Sequence, residues 1–213
     1  MLSGDCVRAA AIASALTEKP QITRSLDTAR HWLKCRQIGR TRSGLVSSAY
    51  AARLRSDGLE NSFDFHQNFE WEHWFLDELT CAPVGSPQKY CGDVRCSSIL
   101  EVAATQFEIQ GLELDWIGLC WGEDLVWSEG SWKTYRFTNK TWRENHNAVK
   151  HAYMLNGYRV LLTRARQGMI IYVPEPTSED QSRLHNELNH TAEFLIACGA
   201  EPVCARAAAA NPS

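Results

Sequence analysis

The stretch Tyr158–Pro174, YRVLLTRARQGMIIYVP, constrains this chain more than any other. Its first half has the spacing of an amphipathic helix, with Leu161 and Leu162 suited to the buried side. Gly168 reads as a helix stop, and Met169–Val173 as a short buried strand. The helix is expected to run from about Ala148 to Arg166, with Gly157 a weak point inside it. Thr163-Arg164-Ala165-Arg166 then sets two guanidiniums where the chain turns from helix to strand. Arginine is always charged, and its planar fork of donors matches phosphate oxygens. Standing alone, such a pair is equally the solvated end of an amphipathic helix.

The 213 residues suffice for one sizeable core and are few for two full domains. A formal charge of −3 excludes a chain that coats nucleic acid by bulk electrostatics, although a local basic patch remains open. None of the eight cysteines forms a CxxC pair, and the nearest metal-like spacing, Cys81, Cys91 and Cys96, is too wide for a zinc site. No metal centre is expected. No apolar run approaches the roughly 18 residues of a membrane span, and the alanine-rich N-terminus is too weakly apolar for a secretory core. A reducing, cytoplasmic setting without membrane partners is the expectation.

Along the chain, Leu2–Thr17 reads as a helical lead-in ended by Pro20, so residues 1–19 stand apart from a main domain over 20–200. Gln21–Arg24 and Gly44–Ser48 read as strands, and Asp27–Lys34 and Ala49–Arg55 as the helices that follow them. Strand–helix alternation of this kind implies parallel α/β architecture. Between Thr28 and Ser56 there is no acid, and Arg30, Lys34, Arg36, Arg40, Arg42, Arg53 and Arg55 all lie there. Either this is a solvated surface or Arg40, Arg42 and Arg53 mark a track for a phosphate backbone. Asn61–Pro83 crowds six aromatic rings into an excursion that suits covering a core better than stacking bases. Gly85–Ser98 reads as loop, Ile99–Ala103 and Trp116–Trp121 as strands, and Glu123–Phe137 as a hairpin about Glu129-Gly130. Thr138–Asn147 reads as polar and irregular. Ser178 is placed to cap a last helix, Glu179–Ala197, and residues 201–213 read as a frayed tail.

A second loaded stretch, Thr105–Asp115, precedes the Trp116 strand. Gly111, lacking a Cβ, permits close approach of a ligand to the backbone. Gln110 offers an amide beside it, Glu113 can accept from a sugar hydroxyl, and Thr105 can meet a nucleic-acid phosphate. Both loaded stretches are expected at the carboxyl ends of the strands, where ligands gather in open α/β sheets.

The order strand, T-x-x-x-x-Q-G-x-E-x-D, strand, long helix, L-L-T-R-A-R, strand resembles motifs V and VI of superfamily 1 helicases. More closely, IQGLELDWIGLCWGEDL with YRVLLTRARQGMIIYVPE resembles the Schlafen group 3-like DNA/RNA helicase family, as do TRSLDTARHWLK and GLVSSAYAARLRSDGLE. The resemblance implies a second RecA-like domain, with a mostly parallel sheet covered by helices on both faces. It implies Arg164 as the arginine that reaches the γ-phosphate of ATP across a cleft, with Arg166 a weaker second candidate. Gln110 and Gly111 are then placed near the phosphates, Glu113 near the ribose and Thr105 on the nucleic-acid backbone.

Two departures bear on activity. No G-x-x-x-x-G-K-[ST] occurs, so the phosphate cradle, its lysine and its Mg²⁺ hydroxyl are missing. At Phe107 many relatives in the wider superfamily carry histidine. The expected cofactor, ATP with Mg²⁺, therefore depends on a first RecA-like lobe with a Walker A motif, and the expected partners are that lobe and single-stranded DNA or RNA. Asp115, Glu123 and Asp124 also allow a metal-dependent nuclease to be considered, but no D…ExK spacing accompanies them.

Overall fold

The computed structural model describes residues 1–76, 95–177, 179–180 and 182–203. Six parallel strands form one sheet in the order β3-β2-β4-β8-β1-β9. They are β1 (Gln21–Thr23), β2 (Ser43–Ser47), β3 (Ala103–Thr105), β4 (Leu114–Cys120), β8 (Ala165–Tyr172) and β9 (Glu201–Pro202). An antiparallel meander, β5 (Leu125–Ser128), β6 (Ser131–Thr138) and β7 (Thr141–Glu144), leaves the carboxyl end of β4. The expected hairpin about Glu129-Gly130 is therefore the first half of three strands. The polar stretch after it hid β7, since a solvated ribbon edge shows no apolar alternation.

Period-two alternation sorts the strand residues onto two faces. Ile22, Val46, Ile117, Leu119, Met169 and Ile171 share one cluster with Tyr158 and Leu161 of α5 (Ala148–Leu162) and Leu188 and Leu195 of α6 (His185–Ala197). Leu45, Cys120, Ile170 and Tyr172 share the other with Leu26, Ala29, Trp32 and Leu33 of α2 (Leu26–Lys34). Helices thus cover both faces, as a RecA-like domain requires. The aromatic excursion forms α3 (Phe63–Asn68) and α4 (Trp71–Leu76). Trp74 is buried, donates to the Val102 carbonyl at 3.1 Å and packs where Gly44 leaves room, so the excursion covers core.

Several expected boundaries move. The lead-in helix is α1 (Cys6–Ser14), capped by Asp5, and it packs on α6 through Ala13, which fits against Gly199. The segment expected as a helix at Ala49–Arg55 is a 3-10 helix, Ala52–Asp57, closed by Gly58 at φ +88°. In place of a strand at Ile99–Ala103, a 3-10 turn over Ser97–Ile99 leads into β3. The last helix starts at His185 rather than Glu179, and its expected cap Ser178 lies outside the described residues. Glu201–Pro202 is not tail but the edge strand β9, where Val203 N–H donates to the Ile22 carbonyl at 2.8 Å. Cys81, Cys91, the body of the Gly85–Ser98 loop and residues 204–213 also lie outside the described residues.

Candidate nucleotide-facing site

The helix α5 ends at Leu162, four residues before the expected end at Arg166. Thr163 turns back, its hydroxyl bonding the Arg159 and Val160 carbonyls at 2.9 and 3.0 Å. Arg164 Nε donates to the same Val160 carbonyl at 3.2 Å, so side chains satisfy the orphan acceptors of the last turn. Arg164 alone sits at the helix end, and Arg166 lies in β8. Gly168 is likewise within β8, not a stop: a Cβ there would come within 2.7 Å of the Trp116 ring.

Leu114 of β4 pairs with Ala165 of β8, and Leu114 N–H donates to the Arg164 carbonyl at 3.0 Å. Gly111, three residues upstream of Leu114, and Arg164 therefore meet at adjacent strand starts. That is the amino edge of the sheet, the opposite edge from the one expected. The reason is topological. Thr105 ends β3, and residues 106–113 cross over β2 to reach the start of β4. The Thr105–Asp115 stretch thus spans the sheet from one edge to the other.

At the amino edge the geometry is open. Gln110, Gly111, Leu112 and Glu113 are exposed, and Gly111 has φ +84° with nothing within 4 Å of a Cβ position. Its glycine serves the left-handed turn, and the space beside it is free. Between Leu114 and Trp116 the register with β8 slips by one residue, a bulge that turns Arg166 and Gln167 to solvent. Arg166 Nε lies 3.4 Å from Glu113, both exposed, a pairing of little energetic weight. Gln167 and the Arg42 backbone N–H both donate to the Asp115 carboxylate, at 3.1 and 2.8 Å. Asp115 is thereby a structural acceptor joining β2, β4 and β8.

The expected phosphate track does not form one surface. Arg40 is exposed beside the amino end of β2, whereas Arg42 donates to the Phe75 carbonyl. Arg53 follows the carboxyl end of β2 and pairs with Asp180 at 2.7 Å. Arg30 meets Asp27 and Glu101, Arg55 meets Glu60, and Arg36 stacks 3.6 Å over Trp32. Carboxylates outside the acid-free window thus pair with three of its seven cations, Arg30, Arg53 and Arg55. Thr105 is buried, with its hydroxyl donating to Glu108 and accepting from Phe107 N–H at 3.3 Å. Phe107, not Thr105, is the exposed residue there.

At the carboxyl edge lies a polar network that local sequence reading missed. Arg183 donates to Glu123 at 2.9 Å and to Ser56 at 2.6 Å, and also meets Asp57 and, at 3.6 Å, Asp180. Asp124 accepts from the Tyr158 hydroxyl at 2.9 Å, and that hydroxyl accepts from Gly122 N–H. Glu123 and Asp124, weighed as metal carboxylates, are thus committed to internal partners. Among the described residues no group of three His, Cys, Asp or Glu side chains could hold a metal. Nor is any described helix long and apolar enough to cross a membrane.

Burial pushes the Asp124 carboxyl from an ordinary value of 3.8 up to about 6, against the nearby Ser48 hydroxyl and the bond from Tyr158, which favour its ionised form. A raised folded-state value favours the protonated acid, so stability declines as pH rises from near 4 through 6 and is flat above. Asp124→Asn is expected to shrink the stability difference between about pH 4 and about pH 7 by about 3 kcal/mol. Urea denaturation at the two pH values measures it, and an unchanged difference would remove Asp124 as the source.

The model of the Schlafen group 3 DNA/RNA helicase domain matches residues 14–175, from the end of α1 to just past β8. The chain belongs to that family. No curated protein and no solved structure matches it. The matched span of this Schlafen group 3 helicase region includes both edges of β4 and β8, with Gly111 and Arg164, but not α6 or β9.

Proposed function

We propose that this Schlafen group 3 region acts as the C-terminal RecA-like lobe of a superfamily 1-type helicase, translocating on DNA or RNA at the expense of ATP. The observation that carries the reading is the union of Gly111 and Arg164 at one open edge, joined by the Leu114–Arg164 hydrogen bond. The exposed Gln110 amide, the free space at Gly111 and a half-exposed guanidinium fit one side of a nucleotide. They do not fit the whole of it, since no lysine and hydroxyl cradle accompanies them. Mg²⁺ and the phosphate cradle belong to a Walker-A-bearing lobe, from further chain or from a partner. ATP supplies the phosphoryl chemistry, and this chain supplies Arg164 against the charge that develops. Glu113 is set to accept from the ribose.

This chain by itself is expected to show no nucleic-acid-stimulated ATP hydrolysis, and turnover is expected once a Walker-A-bearing lobe is added. Phosphate release measured with and without oligonucleotide tests both. Clear stimulated turnover by the chain alone would overturn the half-site reading. A second reading, a non-catalytic nucleic-acid- or protein-binding module that retains the fold, draws on the way Arg164 folds back onto Val160 and Thr163 of its own helix. Nucleic-acid binding indifferent to Arg164, with no turnover in any complex, would favour it.

A further inference from the structure

The β6–β7 ribbon carries an arrangement that costs stability and satisfies nothing within the described residues. Arg136 and Arg143 sit directly opposite one another across the two strands. Like charges so placed, with Cα atoms about 5 Å apart, repel. Both are exposed, and neither has a hydrogen-bond or carboxylate partner among the described residues. Glu144, the one acid in β7, is on the other face, opposite Tyr135 and 3.6 Å from His146.

The turn repeats the pattern. Asn139 and Lys140 join the strands with φ of +51° and +62°. Two positive φ values at a two-residue hairpin favour Asn-Gly, because glycine adopts the second one without strain. Here the second residue is Lys140, exposed and also without a partner. A cation stands where backbone strain argues for glycine, four and three residues from the two cations that oppose each other. Phe137 and Trp142 form the ribbon's other face, ring centroids 5.0 Å apart, and Arg53 lies 5.6 Å from the Phe137 ring. That packing holds the ribbon by its aromatic face and leaves the arginine face outward.

We infer that Arg136 and Arg143, with Lys140 at the turn, form a contact for successive phosphates of single-stranded nucleic acid. The inference rests on the helicase-lobe reading for its choice of polyanion. Its charge logic is local: an anionic backbone relieves the repulsion that the free ribbon carries. Two guanidiniums on neighbouring strands can each fork onto a phosphate oxygen pair along one strand.

The discriminating variant is Arg143→Glu, which converts the opposed pair into a cross-strand ion pair. Thermal melting of the full chain is expected to move upward or stay put, which excludes loss of fold as the cause of any binding change. Anisotropy of a labelled oligothymidylate of about 20 nucleotides is expected to show binding weakened about tenfold at low salt. The slope of log affinity against log salt is expected to flatten by about 1.4, two single-strand contacts at about 0.7 each. Affinity unchanged within about twofold, while the unaltered chain binds the oligonucleotide, overturns the ribbon contact and spares the helicase-lobe reading. An unaltered chain that binds no oligonucleotide also overturns the ribbon contact, whereas the helicase-lobe reading falls only if the completed site shows no stimulated turnover. Binding confined to duplex DNA, or to phosphatidylserine vesicles, overturns the ribbon contact as stated.

Discussion

Arg183→Met is expected to destabilise the fold by about 3–5 kcal/mol, the range found when one partner of a buried ion pair is removed. The Arg183 side chain is only 4% exposed and Glu123 not at all, so neither charge has water to fall back on. Burial alone would lower the arginine's pKa, but Glu123 and Asp57 together hold it above its ordinary value. Burial pushes both acids the other way, upward, with Arg183 pulling against it. Methionine keeps the stem and removes every donor, leaving Glu123 without a partner beyond the end of β4. One guanidinium ties together the turn after β4, the 3-10 helix after β2 and the loop before α6, so its loss loosens three elements. For a chain of this size the melting temperature should fall by on the order of 10 °C. Adding Glu123→Leu to Arg183→Met should restore part of the loss, since an apolar pair is often neutral in place of a buried ionic one. A single-variant loss below about 1 kcal/mol in urea denaturation would mean that the network is solvated and adds little.

Local sequence pattern carried most of the fold, and motif order brought Gly111 and Arg164 to one edge of the sheet. The apolar runs that became β1, β2, β4 and β8 were visible because buried parallel strands are apolar on both faces. Ser25 caps α2 by accepting from the Thr28 N–H, and Asn147, which the sequence reading passed over, caps α5 by accepting from Val149 and Lys150. The pairing of Gly111 with Arg164 followed from motif order, but the edge did not. Which end of a strand a loop joins depends on the crossover, and the crossover is fixed by which strands become neighbours. Arg183 was illegible for a related reason: its partners Glu123 and Asp57 lie 60 and 126 residues away. The acid-free window misled in the opposite sense. Arg53 and Arg30 find carboxylates at Asp180 and Glu101, outside the window, so local charge counting overstated the free positive surface. The bulge at Arg166 is likewise invisible in one strand's sequence, because it exists only relative to a partner's register.

Once a Walker-A-bearing lobe completes the site, Arg164→Ala is expected to lower nucleic-acid-stimulated ATP turnover by about 10³–10⁵-fold, or about 4–7 kcal/mol of barrier. The size follows from the role: charge moves onto oxygens that a fixed guanidinium meets in the transition state more closely than in the ground state. In this structure Arg164 donates to Val160 and Thr163, at 3.2 Å each, near a half-open surface. These bonds hold the side chain over the helix end at little cost to release, so on the proposed reading the fork is available to a nucleotide beside Gly111. Loss of the same bonds predicts only a small fall in melting temperature, which separates the catalytic effect from a structural one. Arg164→Lys should recover little turnover, because a point charge does not reproduce the planar fork. Arg166→Ala, on the exposed bulge beside Glu113, should act weakly by comparison. Turnover that survives Arg164→Ala within about tenfold, in a complex that still assembles, would remove this arginine from the reaction and leave the chain a binding module.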